Sequence, residues 1–289
     1  MLCNQCPREC NIERGEHRYG RCGVGTLPKV ARIAPHYDEE PVISGSYGAG
    51  TIFFSGCNMR CVFCQNYDIS AIAEGKTLTP YQLSEEYKRL ESMGVHNIEL
   101  VTPSHYVDAI IESFEIYKPD LPIVYNSSGY DKVETLKKLD GIIDIYLPDF
   151  KYSDSALAKR LSDCPDYPSV AEKAIDEMIR QCGDIVIKDN LMKRGVIIRH
   201  LVLPSHTKNS IGVLELIKRN WGTDIPISLM AQYMPAGKAG DHPDINRKLT
   251  KREYRKVLDK MYELELDGYA QELEAANKKY VPEWDYKDR

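Results

Sequence analysis

From about residue 51 onward, short β-branched or aromatic runs alternate with longer amphipathic segments, a pattern that restricts the chain to repeated strand-helix units around a parallel sheet. The runs are Thr51 to Ser55, Asn97 to Thr102, Pro122 to Asn126, Ile143 to Leu147, Val196 to Leu203 and Ile225 to Met230. After the first, Thr79 is placed to cap a helix with Pro80 at its first position, and Leu83, Tyr87 and Leu90 then share one face. Further helices are expected near 105–117, 130–139, 169–182, 208–220 and 250–266. Six such repeats are compatible with an open doubly wound sheet or with an incomplete eight-fold barrel, and periodicity does not separate the two. In both, ligand sites gather beyond the carboxyl ends of the strands. Residues 1–48 stand outside the repeat and are rich in cysteine, arginine and glycine. They are expected to form a metal-binding appendage on a core of residues 49–289, with a boundary around Ser44 to Gly50.

With 38 basic against 43 acidic residues, the net charge of −5 gives no reason to expect nucleic acid or an anionic membrane as partner. No apolar stretch approaches the roughly 20 residues of a membrane span, and MLCNQCPREC lacks the regions of a signal peptide, so a soluble cytoplasmic protein is expected. Nine cysteines then need a reason, because a reducing cytosol disfavours disulfides. Four lie at Cys3, Cys6, Cys10 and Cys22, and three at Cys57, Cys61 and Cys64. Such clustering argues for metal ligation. Cys164 and Cys182 show no ligand spacing and read as small buried hydrophobes.

The run SGCNMRCVFCQN has the spacing C-x3-C-x2-C directly after the first strand and has no fourth cysteine nearby. A cubane iron-sulfur cluster takes one cysteine per iron, so three leave one iron open to a non-protein ligand. A structural zinc would want a closed set of four. This spacing, with the aromatic Phe63 before the last cysteine, resembles the signature of the radical S-adenosylmethionine (SAM) superfamily. The segments CNQCPREC, LVTPSHY, YNSSGYD, DIYLPDFKY, IRHLVLPSHT, SLMAQYMPAGKA and GYAQELEAANKKYVPEW extend the likeness to its branch similar to the pyruvate formate-lyase activating enzyme.

The resemblance implies a partial (β/α)6 barrel of the α/β class. It also implies a 4Fe-4S cluster on Cys57, Cys61 and Cys64 whose free iron is chelated by SAM. One electron, from a donor such as a flavodoxin or ferredoxin, then breaks a carbon-sulfur bond and yields a 5'-deoxyadenosyl radical that abstracts hydrogen from a substrate. Where most of the superfamily has a glycine-glycine-glutamate segment this chain has Thr102, Pro103, Ser104 and His105, so the Thr102 and Ser104 hydroxyls are expected to take the contact to the cofactor's amino group. Lys151 is expected at the cofactor carboxylate. Asn126, Ser127 and Asp149 fall where the activating enzymes can bind a monovalent cation. Arg199, in an otherwise apolar strand, points to an anionic ligand at the rim. Gln232 and Tyr233 follow the sixth strand and are candidates for the ribose or adenine.

Cys3, Cys6, Cys10 and Cys22 make a closed set of four with spacing C-x2-C-x3-C-x11-C, which suits either a second iron-sulfur cluster or a zinc ion. For the reaction, the simplest reading is activation of a glycyl-radical protein. Radical modification of a metabolite, peptide or nucleotide is the second, and an iron-sulfur electron-transfer or sensing protein is the reading outside enzymology. The open iron argues against the last, since a carrier gains from four protein ligands on each cluster.

Overall fold

The computed structural model describes residues 2–15, 17–272 and 284. Of the closing segment GYAQELEAANKKYVPEW, residues 273–283 lie outside the described residues. In chain order the elements are β1 (Lys29–His36), α1 (Pro41–Ser44), β2 (Ala49–Phe54), α2 (Tyr67–Ser70), β3 (Lys76–Thr77), α3 (Pro80–Ser92), β4 (Ile98–Val101), α4 (Val107–Ile116), β5 (Ile123–Ser127), α5 (Val133–Leu136) and β6 (Ile145–Pro148). They continue with α6 (Ser155–Ser162), α7 (Tyr167–Cys182), β7 (Val186–Lys188), β8 (Leu191–Val196), β9 (Ile198–Leu201), α8 (Thr207–Trp221), β10 (Ile227–Met230), α9 (Lys251–Glu263) and β11 (Gly268–Ala270).

All six expected strands are present. β2, β4, β5 and β6 pair in parallel, β8 continues the parallel run beside β6, and β9, β10 and β11 pair in parallel with one another. The two sheets join at a parallel bridge between Asp149 and Arg199. The expected strand 196–203 is therefore the end of β8 and the whole of β9, divided at Ile197. Sequence periodicity did not indicate α6, the β7–β8 hairpin or β11. Nor did it indicate β1, which lies in the segment assigned to the appendage yet pairs antiparallel with β2 within the main sheet.

The helices form for local reasons. Thr79 caps α3 by accepting from the Gln82 backbone N–H while the Gln82 side chain returns to the Thr79 N–H, and Thr250 and Glu253 repeat this box on α9. Leu83, Tyr87 and Leu90 are fully buried. Residues of α3, α4, α6, α7, α8 and α9 share one hydrophobic cluster with Ile52, Leu100, Tyr125, Tyr146 and Leu229 of the strands. These long helices thus cover one face of the sheet, which a doubly wound arrangement would not give. Alternate residues, among them Phe53, Val101, Asn126, Arg199, Ser228 and Met230, face a cavity instead.

The sheet is curled. Arg199 of β9 is ion-paired with Glu39 and Glu40, which follow β1 by three and four residues. In strand order β1 and β9 are five spacings apart, about 24 Å on a flat sheet, and four extended residues reach only about 13 Å. The contact needs the inner face to bend toward itself. No helix among the described residues is long and apolar enough to cross a membrane. Leu83→Ala should lower unfolding free energy by about 2–5 kcal/mol, and urea denaturation measures this.

Candidate active site

The cavity has a volume of about 590 Å³, within the usual range for small-molecule sites, and lies at the carboxyl ends of the strands. Its upper wall is the loop after β2. Gly56 opens that loop at φ +82°, where a Cβ would stand 2.7 Å from the Cys22 carbonyl oxygen, and Arg60 turns it at φ +59°. The loop is pinned from two sides. Val62 N–H donates to the Leu161 carbonyl at the end of α6, and Lys238 N–H donates to the Val62 carbonyl. Gln65 reaches the Gln232 carbonyl at 2.8 Å.

Cys57, Cys61 and Cys64 all line the cavity. Their sulfurs are served by donors: Met59 N–H to Cys57 at 3.4 Å and the Ser162 hydroxyl to Cys61 at 2.9 Å. Burial pushes the Cys61 thiol up to about 12 and raises Cys64 as well. Free thiols there hold their protons, whereas metal coordination displaces them. Lys151 lies within electrostatic reach of Cys61 and Cys64 and is ion-paired with Asp149. Among the described residues no three His, Cys, Asp or Glu side chains are gathered around a single-ion site. Two buried cysteines and the partly buried Cys64 on one cavity wall, with hydrogen-bond donors to sulfur and a nearby cation, fit a cluster that takes each cysteine on a different iron.

Of the other residues singled out in the sequence, Phe63, Thr102, Asn126, Ser127, Asp149, Lys151, Arg199, Gln232 and Tyr233 line the same cavity. Thr102 does so in the left-handed region at φ +62°, a strained conformation for a β-branched residue and one seen where a site demands it. Ser104 lies elsewhere: it is buried beside Asp131 and Tyr125 and does not line the cavity. His105 is also buried, with Nε2 3.0 Å from the Ser55 carbonyl, and burial lowers its pKa to about 3, so it is neutral. Asn126 and Ser127 are engaged within the protein, donating to Glu99 at 2.7 Å and Asp131 at 2.6 Å. Gln232 accepts from Gln271 at 3.1 Å.

Arg199 has protein carboxylates as its partners rather than an open face. Its Nε donates to Glu40 at 2.9 Å and its Nη2 donates to Glu39. Burial alone would raise the Glu40 carboxyl, but the Arg199 guanidinium beside it holds it below its ordinary value. Behind them Glu99 is fully buried between Thr51, whose hydroxyl donates at 2.8 Å, and Asn126. Burial and the nearby Glu39 raise Glu99 from 4.5 to about 8, so it is a neutral acid at pH 7. Sequence reasoning passed over Glu39, Glu40 and Glu99. The signal for Glu99 was the one that marked Arg199, a charge inside the apolar run Ile98–Val101.

Residues 51–217 match the family model described as the radical SAM superfamily. An uncharacterized protein of Methanocaldococcus jannaschii is 32% identical over 274 residues, 92% of this chain and 75% of that protein. The fold is similar to that of a radical SAM methyltransferase from Sphaerobacter thermophilus, at TM-score 0.53 and 14% identity, with 76% of this chain and 65% of that chain covered. It is likewise similar to Streptococcus suis SuiB bound to the precursor peptide SuiA, at TM-score 0.50 and 15% identity, over 80% of this chain and 51% of that one. This chain thus spans less than two thirds of the methyltransferase and about half of SuiB.

Two predictions follow from the buried charges. Arg199→Ala leaves Glu39 and Glu40 without their cation and should cost about 3–5 kcal/mol of stability, measured by urea denaturation. For Glu99 the folded pKa lies above the unfolded one, so its contribution to stability is present at low pH and is lost as pH rises from 4.5 through about 8. Glu99→Gln should therefore gain stability relative to wild type across that window, read as a midpoint difference that grows with pH.

Proposed function

The chain belongs to the radical SAM superfamily, and on that premise we propose that it cleaves SAM reductively at a 4Fe-4S cluster held by Cys57, Cys61 and Cys64 and abstracts hydrogen from a substrate. The observation that carries this reading is the convergence of the three thiols, Lys151 and the strained Thr102 on one cavity at the strand ends. A bound cluster and SAM together supply the reducing electron and the carbon radical. The protein's part is positional. Lys151 offers a cation to the SAM carboxylate, its charge maintained by Asp149, and Thr102 presents its hydroxyl and carbonyl to the SAM amino group. Gln232 and Tyr233 flank the cavity beside Phe63, whose ring lies 6.0 Å from that of Tyr233 and tilted 55° to it, as an aromatic corner for the adenine. Asn126, Ser127 and Asp149 remain the candidates for a monovalent cation.

The curl of the sheet and the single layer of helices support the partial (β/α)6 barrel. The cavity has to take the cofactor together with the reacting group of the substrate. The sequence likeness to the activating-enzyme-like branch favours a glycine methylene on a protein loop as that group, and hence activation of a glycyl-radical protein. The amino-terminal cysteines add a second metal-ligating set, for iron-sulfur or zinc.

Anaerobically reconstituted and reduced protein should form 5'-deoxyadenosine from SAM, and variants with Cys57, Cys61 or Cys64 changed to Ala should form none. No product from protein with an intact, reducible cluster, with or without a glycyl-radical protein present, would sink the proposal. Lys151→Ala should weaken SAM binding roughly tenfold, about 1.4 kcal/mol, while the cluster spectrum is kept. Unchanged affinity would remove Lys151 from the site.

A further inference from the structure

The amino-terminal cysteines pack against the loop that carries the triad, outside the cavity lining. Cys57 N–H donates to the Cys22 carbonyl at 3.3 Å, so a residue of one cysteine set touches a residue of the other. Arg8 clasps the same loop, donating to the Asn58 carbonyl at 2.8 Å and to the Ser162 carbonyl and Cys164 sulfur at the end of α6. Arg14 is buried and donates to the carbonyls of Val24, Gly25 and His105 and to the Cys3 sulfur at 3.6 Å. Of those four partners the sulfur alone can carry a charge.

The chain between the cysteines is bent to gather them. Glu9 and Asn11, on either side of Cys10, adopt φ +40° and +51°, which is costly for residues with a side chain. Asn11 N–H returns to the Cys3 carbonyl and Glu9 N–H to the Cys6 carbonyl, both at 3.0 Å. A Cβ at Gly20 would stand 3.0 Å from the Cys10 sulfur. Cys6 lies within electrostatic reach of Cys3, Cys10 and Cys22. The sulfurs also receive N–H groups, from the Arg21 backbone to Cys10 at 3.4 Å and from the Arg8 backbone to Cys6. Neutral thiols are weak acceptors, and N–H donors aimed at sulfur are the usual surroundings of a metal-bound cysteine.

Four cysteines suit either zinc or an iron-sulfur cluster, and the direct contact of this set with the triad loop favours the redox-active group. A cluster accepts one cysteine per iron and so tolerates sulfurs that are near but apart. We propose that Cys3, Cys6, Cys10 and Cys22 hold an iron-sulfur cluster that is the electron entry point for the site at Cys57, Cys61 and Cys64. The entry role rests on the function proposed above, but the metal assignment does not. In each transfer one electron arrives from a low-potential carrier of the flavodoxin or ferredoxin type and one leaves across the Cys22–Cys57 contact. The entry cluster is reduced and reoxidised, and no proton or covalent bond moves.

The test begins with full-length protein carrying Cys57→Ala, Cys61→Ala and Cys64→Ala, reconstituted anaerobically. It should retain iron and acid-labile sulfide in equal amounts, about two to four of each per chain, with an electron paramagnetic resonance signal on reduction. One zinc per chain, or no metal, would overturn the assignment. Adding Cys6→Ser and Cys10→Ser should remove the iron, and its retention would exclude these ligands. With the triad intact, Cys6→Ser with Cys10→Ser should leave 5'-deoxyadenosine formation with dithionite unchanged but slow it roughly tenfold or more with reduced flavodoxin. Equal slowing, or none, with the two reductants would overturn the entry role. Failure of every form to cleave SAM would sink the function proposed above and leave the metal result standing.

Discussion

A cation placed in the middle of a buried strand has to be matched, and the match found for Arg199 shapes the whole inner face of this protein. Glu39 and Glu40 reach it from the far edge of the strand order, which requires the sheet to curl and makes the segment after β1 a floor to the cavity. Pairs of this kind are poor sources of net stability, because desolvation offsets much of the attraction, but they penalise any arrangement that leaves one member alone. The ion group therefore acts chiefly on geometry: it fixes which residues look at one another across the interior.

The curl also explains how apolar and polar surfaces are apportioned. Helices cover the outer face through one continuous hydrophobic cluster, while the inner face carries smaller apolar groups beside the cavity. One of these joins Ala31, Phe53, Ile69, Val101 and Trp284, with the Trp284 ring 5.5 Å from that of Phe53. Because Phe53, Ile69 and Val101 also line the cavity, this packing stiffens the wall nearest the triad. The strain at Thr102 and the tight turn at Gly56 are held by such surroundings, where a freer chain would relax them.

Much of the fold was legible in local pattern. The capping residues of α3 and the six strands were readable because period and end signals are set within a few residues. β1 was not, because its run KVARIAPH carries two basic residues and a proline, and it becomes a strand by pairing with β2. α6 was passed over because it spans only about two turns, and Asp154 starts it by accepting from the Ala156 and Leu157 N–H groups. At the site, Ser104 and Thr102 looked interchangeable as hydroxyl acceptors for the cofactor's amino group. Two residues of further chain were enough to carry Ser104 into the core.

The sequence by itself determined the chemistry on offer: three cysteines at a spacing that leaves one iron of a cluster free, a second set of four, and strand-helix repeats that bring site residues to one end of a sheet. Ligand spacing and hydrophobic period are short-range properties, so they survive in a linear reading. Only the tertiary structure decided that Arg199 is matched by Glu39 and Glu40, that Glu99 is held neutral in the interior, and that the amino-terminal cysteines lie against the triad loop. Each of these depends on groups tens to more than a hundred residues apart meeting where water is excluded, and the energy of a buried charge is set by its neighbours in space, whatever their distance in sequence.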